Sequence, residues 1–390
     1  MKITKLDKYF VNAGIRNWLI VKLTTDEGHI GYGEGSLEWQ ERGVDAFLDE
    51  FCRSYVLGSN PFDIEDLFLR LYRGQYEGGA IPMTAISAIE IACWDIVGKV
   101  AGQPVHNLLG GKVSFPLRAY ANGWYGGDLQ PQAIARQAKD VAKRGYTALK
   151  FDPFGVAWKE LGSKGLESSL ALVAAVREAV GPDVDILIEG HGRLSFSSAL
   201  TFAREVECLK PFWFEEPIAP EGVELLAELR AKINIRIAAG ERMYTYHEFE
   251  RLISLHAVDV LQFDVAHCGG ILASKKIAAM AYPKDIMIAP HCSIGPVATA
   301  ATLQLAVTLP NMLLQEAFDE FDVAWRNEMV NGWKPSRDGF LYPSEKPGIG
   351  VELNEAAASR HPYKENAFPS LWDNSWYKDF SQSKKDDESS

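Results

Sequence analysis

Three glutamates, Glu189 (DILIEGHGR), Glu215 (FWFEEP) and Glu241 (IAAGER), each follow a short apolar run, and both separations are 26 residues. If those runs are adjacent parallel strands, three carboxylates arrive at one rim. They would repel one another unless a divalent cation lay among them, and ligation by oxygen alone favours Mg²⁺. Further candidates stand at the ends of neighbouring runs: Lys150 before the glutamates, then Asp264 (LQFDVAHCGG), His291 (IAPHCSIGP) and Glu316 (LLQE) after them. An Asp and a His on adjacent strand ends can pair so that the carboxylate fixes the imidazole tautomer and raises its basicity, which makes His291 a candidate general base oriented by Asp264. His191 lies two residues past Glu189, on the same side if the strand stays extended, and is the candidate acid. Arg193 and His267 read as hydrogen-bonding support behind these groups.

The runs that must position these residues fall into two regions. Asn17 to Thr25 and His29 to Glu34, joined by Asp26-Glu27-Gly28, have the pattern of an antiparallel hairpin. Gly31, Gly33 and Gly35 close that hairpin without opening a βαβ unit, so they are structural and not a dinucleotide loop. From Gly43 to about Gly110 the period is helical, as in Val44 to Arg53 and Pro82 to Val100, giving an α+β amino-terminal domain over residues 1–115. After Pro116 come eight short apolar runs, each but the last followed by a helical segment. They are Leu117 to Ala121, Ala148 to Phe151, Asp185 to Glu189, Phe212 to Glu215, Arg236 to Ala239, Val258 to Phe263, Ile286 to Ala289 and Met312 to Gln315. That repetition points to a closed eight-stranded α/β barrel over residues 116–320, in which functional groups stand at the carboxyl ends of the strands. The charged stretch 377–390 reads as a disordered tail.

Composition limits the partners. A formal net charge of −12 argues against a nucleic acid, and 47% hydrophobic with 24% charged residues is ordinary for a globular chain. Five scattered cysteines without a C-x-x-C pair fit a reducing cytoplasm. The amino terminus lacks a signal-peptide apolar region, and no continuous 18-residue apolar stretch suggests a membrane span.

The order of a strand-end Lys, three carboxylates, Asp, His and Glu resembles the mandelate racemase subgroup of the enolase superfamily. The segments EGHGR, EEP, AAGER, AHCGGI, APHCSIGP and LLQE, with YANGWY (Tyr120 to Tyr125) and ALKFDPFG (Ala148 to Gly155), are similar to the gluconate and galactonate dehydratases of that subgroup. The resemblance implies a (β/α)7β TIM-like barrel with an α+β cap, and a carboxyl-terminal segment, 321–376, that returns to the cap. It implies Mg²⁺ on Glu189, Glu215 and Glu241, and removal of the C2 proton of a sugar acid by His291 to give an enediolate. Lys150 and Glu316 would contact the substrate carboxylate, and His191 would protonate the leaving C3 hydroxyl. The product would be a 2-keto-3-deoxy acid. Two departures stand out: position 189 is Glu where many relatives have Asp, and strand two reads Lys150-Phe151-Asp152 without the second Lys of a racemase. Asp152 and Arg193 are therefore candidate contacts to substrate hydroxyls. The competing implication is a sugar-acid lactone cycloisomerase or an epimerase with the same metal and base. A homo-oligomer is expected, and the cap stretches Phe10 to Arg16 and Tyr72 to Pro82 are expected over the rim.

Overall fold

The computed structural model describes residues 1–76, 78–126 and 129–365; the expected tail and the end of the 321–376 segment lie outside them. The expected hairpin is present as β2 (Asn17–Thr25) and β3 (Ile30–Glu34), and β1 (Ile3–Asn12) adds an antiparallel strand on the other side of β2. The sequence reading passed over β1 because Lys5, Asp7 and Lys8 interrupt its apolar alternation. β2 is buried on both faces. Its Leu19, Val21 and Leu23 pack into the cap core, while Trp18 and Ile20 join the core shared with the barrel, which explains an almost continuous apolar run.

The cap helices are α1 (Glu41–Phe51), α2 (Ile64–Arg73), α3 (Ala80–Ala101) and the short α4 (Val105–Leu108). With 22 residues and a mean hydropathy of 1.5, α3 is long and apolar enough to cross a membrane by length and composition, a property the sequence reading did not register. Of its most apolar 18-residue stretch, 78% is buried inside the protein, as expected of a helix hydrophobic on all sides at a core. β3 lies directly on α3, and the glycine series permits that approach: a Cβ on Gly33 would overlap the carbonyl oxygen of Ala88, and one on Gly31 that of Ala92.

The barrel strands are β4 (Leu117–Ala121), β5 (Ala148–Phe151), β6 (Asp185–Glu189), β7 (Trp213–Glu215), β8 (Arg236–Ala239), β9 (Val260–Leu261), β10 (Met287–Ile288) and β11 (Gln315–Ala317), paired in parallel in chain order up to β10. The ring closes because β11 pairs with β4 and because Ile288 exchanges 2.8 Å backbone hydrogen bonds with Asn311 and Leu313. Among the described residues, seven α-helices lie between the strands: α5 (Pro131–Lys143), α6 (Gly162–Val180), α7 (Phe196–Val206), α8 (Val223–Arg230), α9 (Tyr246–Ser254), α10 (Gly270–Ala281) and α11 (Pro296–Ala306). This is a (β/α)7β barrel. The eighth strand starts later than its apolar run, which places Glu316 inside β11 and not beyond its end.

The interior shows why the rim carries what it does. Tyr120, Leu187, Trp213 and Leu314 belong to an inner cluster to which each wall contributes one residue. Side chains alternate along a strand, so positions two residues further on also point inward. Those positions are Asn122, Glu189, Glu215 and Glu316, and the same step from Ala148 and Ala289 gives Lys150 and His291.

The carboxyl-terminal segment divides its contacts. β12 (Ser336–Arg337) and β13 (Phe340–Leu341) form a hairpin whose second strand pairs antiparallel with β4 of the barrel. The segment also reaches the cap at several points: Trp325 meets Trp18 of β2 edge-on, Ile349 N–H donates to Asp95 Oδ1 at 2.9 Å, α12 (Glu355–Ala358) packs on β1, and Asn12 N–H donates to His361 O at 2.8 Å.

Gly33→Ala is expected to lower unfolding stability by about 1–3 kcal/mol, the usual cost of overpacking. Urea denaturation checks this; an unchanged midpoint would show that β3 and α3 can separate freely.

Candidate active site

Glu189, Glu215 and Glu241 end neighbouring strands or the turns just after them, and one carboxylate oxygen from each lies within 4.8 Å of the others. The buried Lys150 ammonium meets this cluster from β5, 2.6 Å from Glu215 Oε1, 3.1 Å from Glu189 Oε2 and 3.2 Å from Glu316 Oε1. Burial alone would lower the Lys150 pKa, but Glu215 and Glu316 hold it well above the usual lysine value. One lysine does not balance these acids. Burial and the charge of Glu189 push the Glu215 carboxyl up to about 8. Among the described residues, Glu189 Oε2 is buried without a hydrogen bond and meets the Lys150 ammonium in an ion pair, whereas Oε1 accepts the His191 N–H at 2.7 Å. An orphaned carboxylate oxygen, surplus negative charge and an all-oxygen donor set fit a small divalent cation held by Glu189, Glu215 and Glu241.

His291 Nδ1 lies 2.7 Å from Asp264 Oδ2, and the two residues are bridged in parallel just beyond the ends of β10 and β9. Since a carboxylate only accepts, the proton of this contact belongs to the imidazole, and Nε2 is left facing the rim. That nitrogen is 3.8 Å from Glu241 Oε2 and 4.0 Å from Glu316 Oε2. Burial would lower the His291 pKa, yet Glu241 and Glu316 raise it well above the ordinary value; a cation on Glu241 would counter the first of these. Glu316 is also tied down by Cys292 N–H at 2.6 Å and Asn122 Nδ2 at 2.8 Å. Despite burial, Lys150 and His291 hold its carboxyl down at about 2.

His191 forms a second imidazole–carboxylate pair, with Nδ1 2.7 Å from Asp152 Oδ2. The extended-strand alternation expected to bring it inward does not hold: the chain leaves β6 at Gly190, and His191 has a left-handed backbone with φ 47°. The Asp152 contact and the Glu189 hydrogen bond fix it instead. Burial would lower the His191 pKa, but Glu189 and Asp152 outweigh it and hold the imidazolium up at about 9. Asp152 and Arg193, expected as contacts to substrate hydroxyls, are engaged with each other in the structure. Arg193 Nη2 clasps both Asp152 oxygens, Phe154 N–H donates to Oδ1 at 2.9 Å, and the two side chains are only 2% and 1% exposed. Asp152 is thus saturated by protein partners, and Arg193 is its counterion.

β6 and β10 are four strands apart in a closed ring of eight, so His191 and His291 approach the rim from opposite walls. His267 stands behind Asp264, with Nδ1 3.7 Å from its Oδ2. Of the expected cap stretches, Arg16 reaches the barrel at Ser293, whereas the 72–82 loop includes Glu77, which is outside the described residues. Asn122 was missed, although it follows an apolar run in the same way as the residues that were found.

A (β/α)7β barrel under an α+β cap, with carboxylates on three consecutive walls and a His–Asp pair beyond them, is the enolase-superfamily architecture. Residues 11–110 match the mandelate racemase / muconate lactonizing enzyme amino-terminal domain, and residues 133–357 match the enolase carboxyl-terminal domain-like family. The chain belongs to the mandelate racemase / muconate lactonizing enzyme family of the enolase superfamily, whose members bind a divalent metal. It is 39% identical to a D-gluconate/D-galactonate dehydratase of Picrophilus torridus, over 86% of each chain. It is also 39% identical to a D-galactonate dehydratase of Verminephrobacter eiseniae, over 91% of this chain and 93% of that one. A mandelate racemase/muconate lactonizing enzyme structure from a Sulfitobacter species superposes with a TM-score of 0.88 at 33% identity, covering 94% of this chain and 97% of that one. The curated relatives are thus named for water elimination, a hydro-lyase reaction.

Adding Mg²⁺ at 100 times its Kd is expected to stabilise the protein by about 2.7 kcal/mol, read as a rise in melting temperature. Glu215→Gln is expected to abolish that rise; an equal rise in the variant would remove Glu215 from the metal site.

Proposed function

We propose that the protein is a Mg²⁺-dependent sugar-acid dehydratase that converts an aldonate such as gluconate or galactonate to its 2-keto-3-deoxy acid. The observation that carries this reading is the pair of opposed imidazoles, His291 and His191, each oriented by its own carboxylate. The dehydratase names of the relatives support elimination as the outcome. A Mg²⁺ ion held by Glu189, Glu215 and Glu241 would supply positive charge beside the substrate carboxylate and so acidify its α-proton.

The remaining steps belong to the side chains. Lys150 presents a fixed ammonium to the substrate carboxylate, and the negative charge that builds there when an enediolate forms is stabilised by it. His291 Nε2 takes the C2 proton, and the new imidazolium is stabilised by Asp264. The electron pair left at C2 expels the C3 hydroxyl as His191 transfers its proton to that oxygen, so water leaves with the C3–O bond. Because the imidazoles lie on opposite walls, proton and hydroxyl depart from opposite faces. The enol product then takes a proton at C3 and becomes the 2-keto-3-deoxy acid. Glu316, held anionic between Lys150 and His291, aligns both.

A second reading has its own observation. Strand two lacks the second Lys of a two-base racemase, but the Asp152 that stands there orients His191, which follows the neighbouring β6. His191 could then return a proton to C2 from the opposite face.

Purified enzyme with Mg²⁺, screened against aldonic and aldaric acids by semicarbazide absorbance, is expected to form 2-keto-3-deoxy product from at least one acid. His291→Asn is expected to lower kcat by about 10³-fold and His191→Asn by about 10²-fold or more. Absence of product from every acid, with Mg²⁺ bound, would sink the dehydratase reading.

A further inference from the structure

None of the steps above uses a residue of the cap, yet the cap buries a carboxylate against the loop that follows His291. Glu34, the last residue of β3, is 0% exposed. Its Oε1 accepts the Gly295 N–H at 2.7 Å and the Ser36 hydroxyl at 2.6 Å; its Oε2 accepts the N–H groups of Val297 at 3.1 Å and Ala298 at 2.9 Å. These amides open α11 and lie four to seven residues past His291. An anion at this helix end is favoured by the aligned peptide dipoles and by charge-assisted hydrogen bonds. The fit is close enough that a Cβ on Gly295 would overlap the Glu34 carboxylate.

The same cap segment also reaches the loop after Asp264. Ser36 O accepts from His267 Nε2 at 2.9 Å, which assigns the His267 proton to Nε2 because a carbonyl only accepts. His267 Nδ1 is thereby turned toward Asp264. Arg16, paired with Glu38 at 3.0 Å, donates to Ser293 O at 2.5 Å. Residues 34–38 therefore hold both loops that carry the His291–Asp264 pair, from a different domain of the chain.

We propose that Glu34 is a positioning residue for His291, tying the base to the docked cap; this rests on the reading of His291 as the base. Removing the carboxylate leaves three buried amides without their acceptor and frees the start of α11, so the loop bearing His291 shifts. A misplacement of a reacting group by about 1 Å can cost about 10²-fold in rate. Glu90 supplies the comparison. It makes the same kind of clasp from α3 to α10, accepting the N–H groups of Ile271 at 2.7 Å and Leu272 at 2.8 Å, but those lie seven and eight residues past Asp264.

The test compares Glu34→Gln, Glu34→Asp and Glu90→Gln in the Mg²⁺-loaded enzyme. In the downfield proton NMR spectrum, the His291 Nδ1–H, assigned by its loss in His291→Asn, is expected to shift or broaden in Glu34→Gln and to stay in place in Glu90→Gln. With D-gluconate or D-galactonate, whichever the wild type turns over, kcat is expected to fall about tenfold or more in Glu34→Gln while KM stays within about twofold. The isotope effect from deuterium at C2 should rise, and Glu34→Asp should recover part of the rate. Glu90→Gln should lower the melting temperature without that change in kcat. An unmoved Nδ1–H resonance in Glu34→Gln, or equal losses of kcat in Glu34→Gln and Glu90→Gln, overturns the proposal. Full activity in His291→Asn would instead overturn the reading of the base, so the two failures are distinct.

Discussion

The arrangement of the rim depends on one electrostatic constraint: three carboxylates, Glu189, Glu215 and Glu316, crowd around the buried Lys150, and a fourth, Glu241, joins the first two. Like charges so close in a dry interior cannot all be satisfied by one ammonium. The structure absorbs part of the surplus locally, through Trp213 Nε1–H on Glu215, Cys292 N–H and Asn122 on Glu316, and the His191 N–H on Glu189. The rest is what a divalent cation would offset, leaving positive charge beside which a carboxylate substrate could be held. The same surplus raises the pKa values of both histidines, through Glu189 for His191 and Glu241 for His291, so a cation held by these glutamates would lower them.

The barrel turns that constraint into directionality. Parallel strands with alternating side chains raise an inner layer of apolar plugs and, two residues above it, a layer of functional groups. Opposite walls then carry the two imidazoles, and each is given one tautomer by its own carboxylate. Asp152 and Asp264 thus have the same task on different walls, although only Asp152 is further held by an arginine. The cap fastens to the loop after His291 through Glu34 at the start of α11, which ties cap position to rim geometry there.

Much of this was legible in the sequence where geometry follows from periodicity. The spacing of Glu189, Glu215 and Glu241, the Asp264–His291 neighbours and the Lys150 strand end all translate directly, because one residue per strand end is what a parallel barrel presents. The reading broke down where the chain leaves regular structure. His191 sits on a left-handed turn, so strand alternation could not place it, and the saturation of Asp152 depends on Arg193, 41 residues away on another loop. β1 was hidden by its charged residues, and the role of Glu34 depends on a contact 261 residues distant that no local pattern encodes. The buried α3 shows the opposite problem: its composition alone would suit a lipid environment, and only its packing shows where its apolar surface goes.

The central claim is that the two opposed imidazoles remove a proton from C2 and water from C3 in one reaction. Proton NMR of the turned-over aldonate in D₂O measures this most directly. Elimination predicts loss of the C2 signal and a product with a C3 methylene carrying one deuterium from solvent. Deuterium washed into C2 with the C3 hydroxyl retained would contradict it and assign the same residues to epimerisation.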